Sequence, residues 1–259
     1  MDKIILIALH KRYEYPLFAP YTAIQVNAKN NEKFLPCSDD TGDNISEKNP
    51  NYCELTALYW AWKNLDAKAV GLVHYRRYFK GKKQFEVNGK KKGILSEEEC
   101  DELLQNADVI LPKKRKYYIE TLYSHYAHTM FVEPLDITGE IIREKFSDYY
   151  AEFLRLKKRR SAHMFNMAVM KKEVFDKYCE WLFSVLFGLE TKVDCTKYDA
   201  FHARFFGRIS ELLLDVFINV NKIKFTEVKV ISVEKTRWVK KIGDFLLAKF
   251  TNRKYDKSF

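Results

Sequence analysis

The segment His74-Tyr75-Arg76-Arg77-Tyr78-Phe79 sets two arginines beside a histidine. Guanidinium groups meet phosphate oxygens through paired hydrogen bonds, and burying them without an anionic partner is costly. The segment therefore fits an anionic ligand, or a structural pair with one arginine bridged inward and the other in water. If it is extended, Arg76 and Arg77 point to opposite faces, and one of them reaches a given ligand. The loop TGDNIS (41–46) offers Asp43, Asn44 and Ser46, groups that can hold a ribose, a sugar or a metal, or simply close a turn. Glu211 opens the apolar run ISELLLDVFI. In the first turn of a helix its charge complements the dipole, and facing a pocket it is a candidate general base. His125-x-x-His128 is the one close histidine pair. A metal there needs further ligands, and none is evident nearby in the sequence.

These groups need elements to hold them. Residues 3–9 (KIILIAL), 23–27, 69–73 (AVGLV), 108–112, 165–170 and 229–233 read as short strands. Helices are expected from Asn51, with Glu54 completing a capping box, and from Ser96, with Glu99 three residues on. Further helices are expected at 138–157, 172–187, 208–221 and 237–250. Residues 36–51 form a long turn-rich loop, and 80–93 a basic loop or hairpin. Strands alternating with helices predict an α/β fold with a mainly parallel central sheet flanked by helices. Ligands bind beyond the carboxyl ends of such strands. That rule marks His10 to Tyr13, His74 to Arg77 and the 36–51 loop.

The composition agrees with a folded chain. Of 259 residues, 47% are hydrophobic and 15% aromatic, which excludes disorder and leaves ample material for one large domain. No apolar run approaches the roughly 20 residues that span a bilayer. The N-terminus lacks the charge and cleavage pattern of a signal peptide, so a cytoplasmic location is expected. Five cysteines without a CxxC pair argue for free thiols rather than a disulfide framework. The net charge of +10 points to an anionic partner. Basic runs stand at 80–83, 90–92, 113–116 and 155–160, and the segment 234–259 adds eight Lys/Arg against three acids. The helix expected at 237–250 has an apolar face and basic flanks, which suits an anionic membrane surface or packing on the domain. No GxGxxG, P-loop, HExxH or GxSxG motif is present.

Taken together, DNIS-x-KN-x-x-YCELTALYWAWKN (43–64), GLVHYRRYF (71–79), ILPKKRKYYIETLYSHYAHT (110–129) and RISELLLDVFI (208–218) resemble one bacterial family. These are the capsular and exopolysaccharide glycosyltransferases long filed as a domain of unknown function. The resemblance covers roughly residues 3–233. It implies a GT-A-like fold over 1–233, followed by a basic amphipathic tail over 234–259. It implies transfer of a galactosyl-type hexose, pyranose or furanose, from a UDP-sugar.

Carried over residue by residue, the resemblance puts Ala8, His10 and Tyr13 at the uracil and ribose, and Asp43 and Asn44 near the donor. His74, Arg76 and Arg77 fall where many GT-A enzymes have an Asp-x-Asp metal motif. With no carboxylate there, the arginines are expected to hold the leaving diphosphate, and a Mn or Mg ion is not favoured. Tyr118, Glu120, Tyr126 and His128 match a stretch lining the site. His163 and Asn166 fall near the donor sugar or acceptor. Glu211, with Asp43 as second choice, is the expected base of an inverting reaction. The implied acceptor is a saccharide on a polyprenyl diphosphate, met by a peripheral enzyme at the inner face of the plasma membrane. The competing classes are a non-catalytic membrane-associated scaffold and a nucleic-acid-binding protein, the latter without a recognition motif in this sequence.

Overall fold

A computed structural model describes residues 3–234. The basic segment 235–259, with the amphipathic helix expected at 237–250, lies outside the described residues. In chain order the strands and helices begin with β1 (Lys3–Leu9), β2 (Tyr21–Gln25), α1 (Asn49–Tyr52), α2 (Leu55–Asn64), β3 (Ala69–His74), β4 (Arg77–Val87) and β5 (Lys90–Ile94). Next come α3 (Glu97–Asn106), β6 (Val109–Pro112), β7 (Arg115–Lys116), α4 (Leu122–Thr129), α5 (Glu133–Lys145) and α6 (Ser147–Lys158). The last are β8 (Ser161–Ala162), β9 (Ala168–Lys171), α7 (Lys172–Glu190), α8 (Phe205–Val220), β10 (Phe225–Val228) and β11 (Val230–Ser232).

The central sheet runs β10-β6-β9-β3-β1-β2. β2, β1, β3, β6 and β10 share one direction, and β9 alone on this path runs against its neighbours β3 and β6. The expected α/β fold with a mainly parallel sheet is therefore observed. β4 leaves the end of β3 through the two-residue turn Tyr75–Arg76, pairs with β5 as a hairpin, and receives β11 antiparallel.

Alternation along β1 builds two cores. Leu6 and Ala8 face a large cluster with α2 and α5 to α8, while Ile5, Ile7 and Leu9 face a smaller one under the β4–β5 hairpin and α3. β3 is buried along Ala69–Val73 and reads as a continuous apolar run. A Cβ at Gly71 would lie 2.9 Å from Val169 Cγ2, so the absence of a side chain there lets β9 lie close.

Several local expectations change. The capping box at Ser96 and Glu99 is present. At Asn51 it is not: Pro50 starts α1 early, and the Asn51 amide donates to the Ala203 carbonyl. Cys53 then takes φ 54°, which breaks the helix and lets α2 start after Glu54. The helix expected at 138–157 is two helices, split at Phe146, whose φ −139° and ψ 53° fall outside the helical region. The 36–51 loop is organised by buried Asp39, which accepts from the Asn27 and Ala28 backbone and from Ser46 and Thr56 hydroxyls. Among the described residues no helix is long and apolar enough to cross a membrane.

Candidate active site

A cleft of about 840 Å³ opens beyond the carboxyl ends of β1 and β3, where an α/β sheet is expected to bind ligands. Ala8 and His10 enter from β1, His74 from β3, and Arg76 and Arg77 from the turn and the first residue of β4. Because Tyr75–Arg76 is a turn rather than strand, both arginines line the cleft, against the expectation of opposite faces. Arg76 Nη1 meets Glu234 Oε2 at 3.2 Å. Arg77 lies over the Phe165 ring, 4.6 Å from its centroid. Burial and the Arg76 charge lower its proton affinity, while Glu211 and Glu54 oppose that shift. His10 is also held below its ordinary range, by burial first and then by Lys11, Arg76 and Arg204.

The opposite wall comes from α8 and the segments before it. Arg204, Arg208, Glu211 and Leu212 line it. Glu211 is not in the first turn of its helix, as the sequence suggested, because α8 already begins at Phe205. The dipole account of its charge therefore lapses. The residue is 7% exposed, and burial raises its carboxyl above the usual range. Arg208 and His74 lower it, and the Glu54 carboxylate raises it further.

Glu54 is the residue that sequence reasoning missed. It read as the acid of a capping box, yet it faces the cleft. Asn166 holds it, donating from Nδ2 to Glu54 Oε1 at 2.7 Å and to the Gly207 carbonyl at 3.0 Å. The Ser210 hydroxyl donates to Asn166 Oδ1 at 2.8 Å. Phe165 and Asn166 both adopt positive φ, 80° and 50°, in the turn before β9. Asparagine tolerates that region better than most residues.

The remaining expected residues divide. Tyr118, Glu120 and Tyr126 line the cleft. Buried Glu120 accepts from His125 Nδ1 at 3.1 Å and His128 Nδ1 at 2.7 Å, so the histidine pair converges on one carboxylate. His125 faces the cleft and His128 does not. The Tyr126 hydroxyl is buried without a partner among the described residues. Asp43, Asn44, Tyr13, His163 and Asn166 are not among the residues lining the cleft.

Each of these has another task. Asp43 accepts from the Tyr59 hydroxyl at 3.1 Å, and its backbone N–H donates to Asn64. Asn44 closes a turn through the Gly42 carbonyl and the Ser46 N–H. Tyr13 packs edge-on against Tyr75 and lies 3.4 Å from Glu234. His163 is clamped by Asp215 at Nδ1 and by Glu227 at Nε2, which ties α8 to β10. Asn166 is a positioning residue behind Glu54.

The family described as a domain of unknown function, DUF4422, matches residues 4–222. The chain belongs to this family. A solved apo structure of WbbM, described as a bifunctional glycosyltransferase, superposes on the DUF4422 domain with a TM-score of 0.81 at 30% identity. The match covers 91% of this chain and 46% of that one, so the chain spans about half the length of WbbM. No curated protein matches the chain. The DUF4422 domain thus has the fold of a glycosyltransferase structure.

Proposed function

We propose that this chain is a glycosyltransferase domain that moves a galactosyl-type hexose from a UDP-sugar to a lipid-linked saccharide in capsule or exopolysaccharide assembly. The observation that carries the reading is a cleft with Arg76, Arg77 and His74 on one wall and buried Glu211 on the other, in a fold shared with WbbM. In this mechanism Ala8 and His10 flank the nucleoside. Arg77 and Arg76 neutralise the diphosphate as its bond to the anomeric carbon breaks.

Glu211 removes the proton from the attacking acceptor hydroxyl, and the outcome is inversion. Its raised proton affinity suits that task, because a base works best with a pKa near the working pH. Asp43, the earlier second choice, is replaced in this reading by Glu54, since Asp43 does not line the cleft. Tyr126 lines the cleft with its ring, while its hydroxyl is buried. Among the described residues no group of three His, Cys, Asp or Glu is placed to hold a metal ion, and no step here uses one. The proposed place of action is the cytoplasmic face of the plasma membrane, with the basic tail 234–259 as one contact.

Calorimetry and thermal unfolding with UDP, UDP-hexoses and other nucleotides, each with and without Mn²⁺, test this reading. A ligand at about 100 times its Kd stabilises the fold by about 2.7 kcal/mol. UDP compounds are expected to stabilise the protein without metal, and Arg77→Ala to abolish that response. Stabilisation only with Mn²⁺ would refute the arginine role. No response to any nucleotide would refute the transferase.

A further inference from the structure

Two basic runs that are far apart in sequence form one surface. The β7–β8 ladder pairs Arg115 with Ala162 and Lys116 with Ser161. The Tyr117 N–H donates to the Arg160 carbonyl at 2.7 Å, and Arg160 Nη1 reaches the Tyr118 carbonyl at 3.4 Å. The run at 113–116 is thereby laid against the run that ends α6.

Charge at this surface is balanced only in part, at Arg155, Lys157 and Arg159. Lys113, Lys114, Arg115, Lys116, Lys158 and Arg160 form no ion pair among the described residues. The nearby acids are engaged elsewhere: Glu152 with Arg155 and Arg159, Asp136 with Lys157, and Glu120 with the two histidines. Between the basic runs the chain projects Tyr118, 81% exposed, and Ile119, 59% exposed. An exposed aromatic and an aliphatic side chain on a segment flanked by two basic runs suit the boundary between phospholipid headgroups and acyl chains. Arg115, Lys116, Tyr118 and Ile119 also line the cleft, so the surface is its rim.

We propose that this rim docks on an anionic phospholipid bilayer, with Tyr118 and Ile119 entering the headgroup region and the six cations facing the lipid phosphates. The cleft then opens at the membrane, where a lipid-anchored acceptor would arrive by lateral diffusion. Docking involves no sugar transfer, so this proposal and the transferase reading fail separately.

The test uses the full chain and sedimentation with phosphatidylglycerol-containing vesicles, against pure phosphatidylcholine vesicles. Each cation near an anionic surface is worth about five-fold in binding, so Lys113→Gln/Lys114→Gln/Lys158→Gln should bind about 100-fold more weakly. Raising salt from about 0.1 M to about 1 M should weaken the wild type and leave the triple variant less affected. Tyr118→Ser/Ile119→Ser should weaken binding at every salt concentration. Circular dichroism confirms that each variant is folded, and a chain lacking 235–259 separates the rim from the tail. Binding by the tail-deleted chain that the triple substitution then removes supports the rim. Unchanged vesicle binding by the triple variant overturns the proposal. So does binding of duplex DNA, lost in the triple variant, by a protein that ignores vesicles.

Discussion

Asn166 offers a perturbation whose size can be worked out in advance. Its amide donates to Glu54 and Gly207, its carbonyl accepts from Ser210, and its backbone sits at φ 50°. In Asn166→Ala, the Ser210 hydroxyl is free to donate its one proton to the Gly207 carbonyl, 2.9 Å away, so the bond to Glu54 is the main loss. A hydrogen bond to a charged group is worth about 1.5–3 kcal/mol, and half-buried Glu54 recovers part of that from water. Alanine in the left-handed region costs about 1–2 kcal/mol more. The expected destabilisation is about 3 kcal/mol.

Asn166→Gly loses the same bonds without the left-handed penalty, offset by about 0.5–1 kcal/mol of backbone entropy, and should cost about 2 kcal/mol. Asn166→Asp sets a carboxylate against Glu54 and should recover stability as pH falls. Urea unfolding of the series measures all three, and turnover on folded protein reports Glu54 positioning. If Asn166→Ala proves more stable than Asn166→Gly, or if all variants match the wild type within about 0.5 kcal/mol, the account of this turn is wrong.

Glu211→Gln should lower turnover by about 10²–10⁴-fold on the proposed mechanism, and a folded variant with wild-type turnover would refute that role. The same change should alter stability with a definite sign. A carboxyl raised by burial in the folded state contributes stability at low pH and loses it as pH rises through its raised value. Glutamine mimics the protonated form, so the melting temperature of Glu211→Gln should exceed that of the wild type near pH 8 and approach it near pH 4. Glu54→Gln removes a like charge, which lowers the Glu211 carboxyl. The acid limb of kcat/KM should then move to lower pH, and an unmoved limb would show that the two carboxylates do not interact.

What could be read from the sequence followed how local each cause is. Ser96 and Glu99 form their capping box because both partners lie within one turn. The same spelling at Asn51 and Glu54 misleads, since Pro50 and the positive φ of Cys53 redirect the chain. β3 announced itself as an apolar run, but nothing in AVMK reveals that β9 runs backwards, because strand direction is set by the connections. His10, His74 and the arginines were legible as residues following strands. Glu54 was not, because its holder Asn166 lies 112 positions away. Asn166 and His163 were singled out through the resemblance as lying near the donor sugar or acceptor, and their places as buried supports were not legible, since their partners Ser210, Asp215 and Glu227 come from elements that only the fold brings together.

The reversed strand has a consequence for synthesis. β2, β1 and β3 can assemble once His74 has left the ribosome, yet among the described residues the far edge of β3 from Ala69 to Leu72 is paired by β9. Roughly a hundred residues must be translated in between, which takes about 5–20 s. Throughout that interval an apolar strand edge is open to other nascent chains. The Phe165–Asn166 turn that holds Glu54 arrives with β9, so the edge is closed and Glu54 is fixed at the cleft in the same late step.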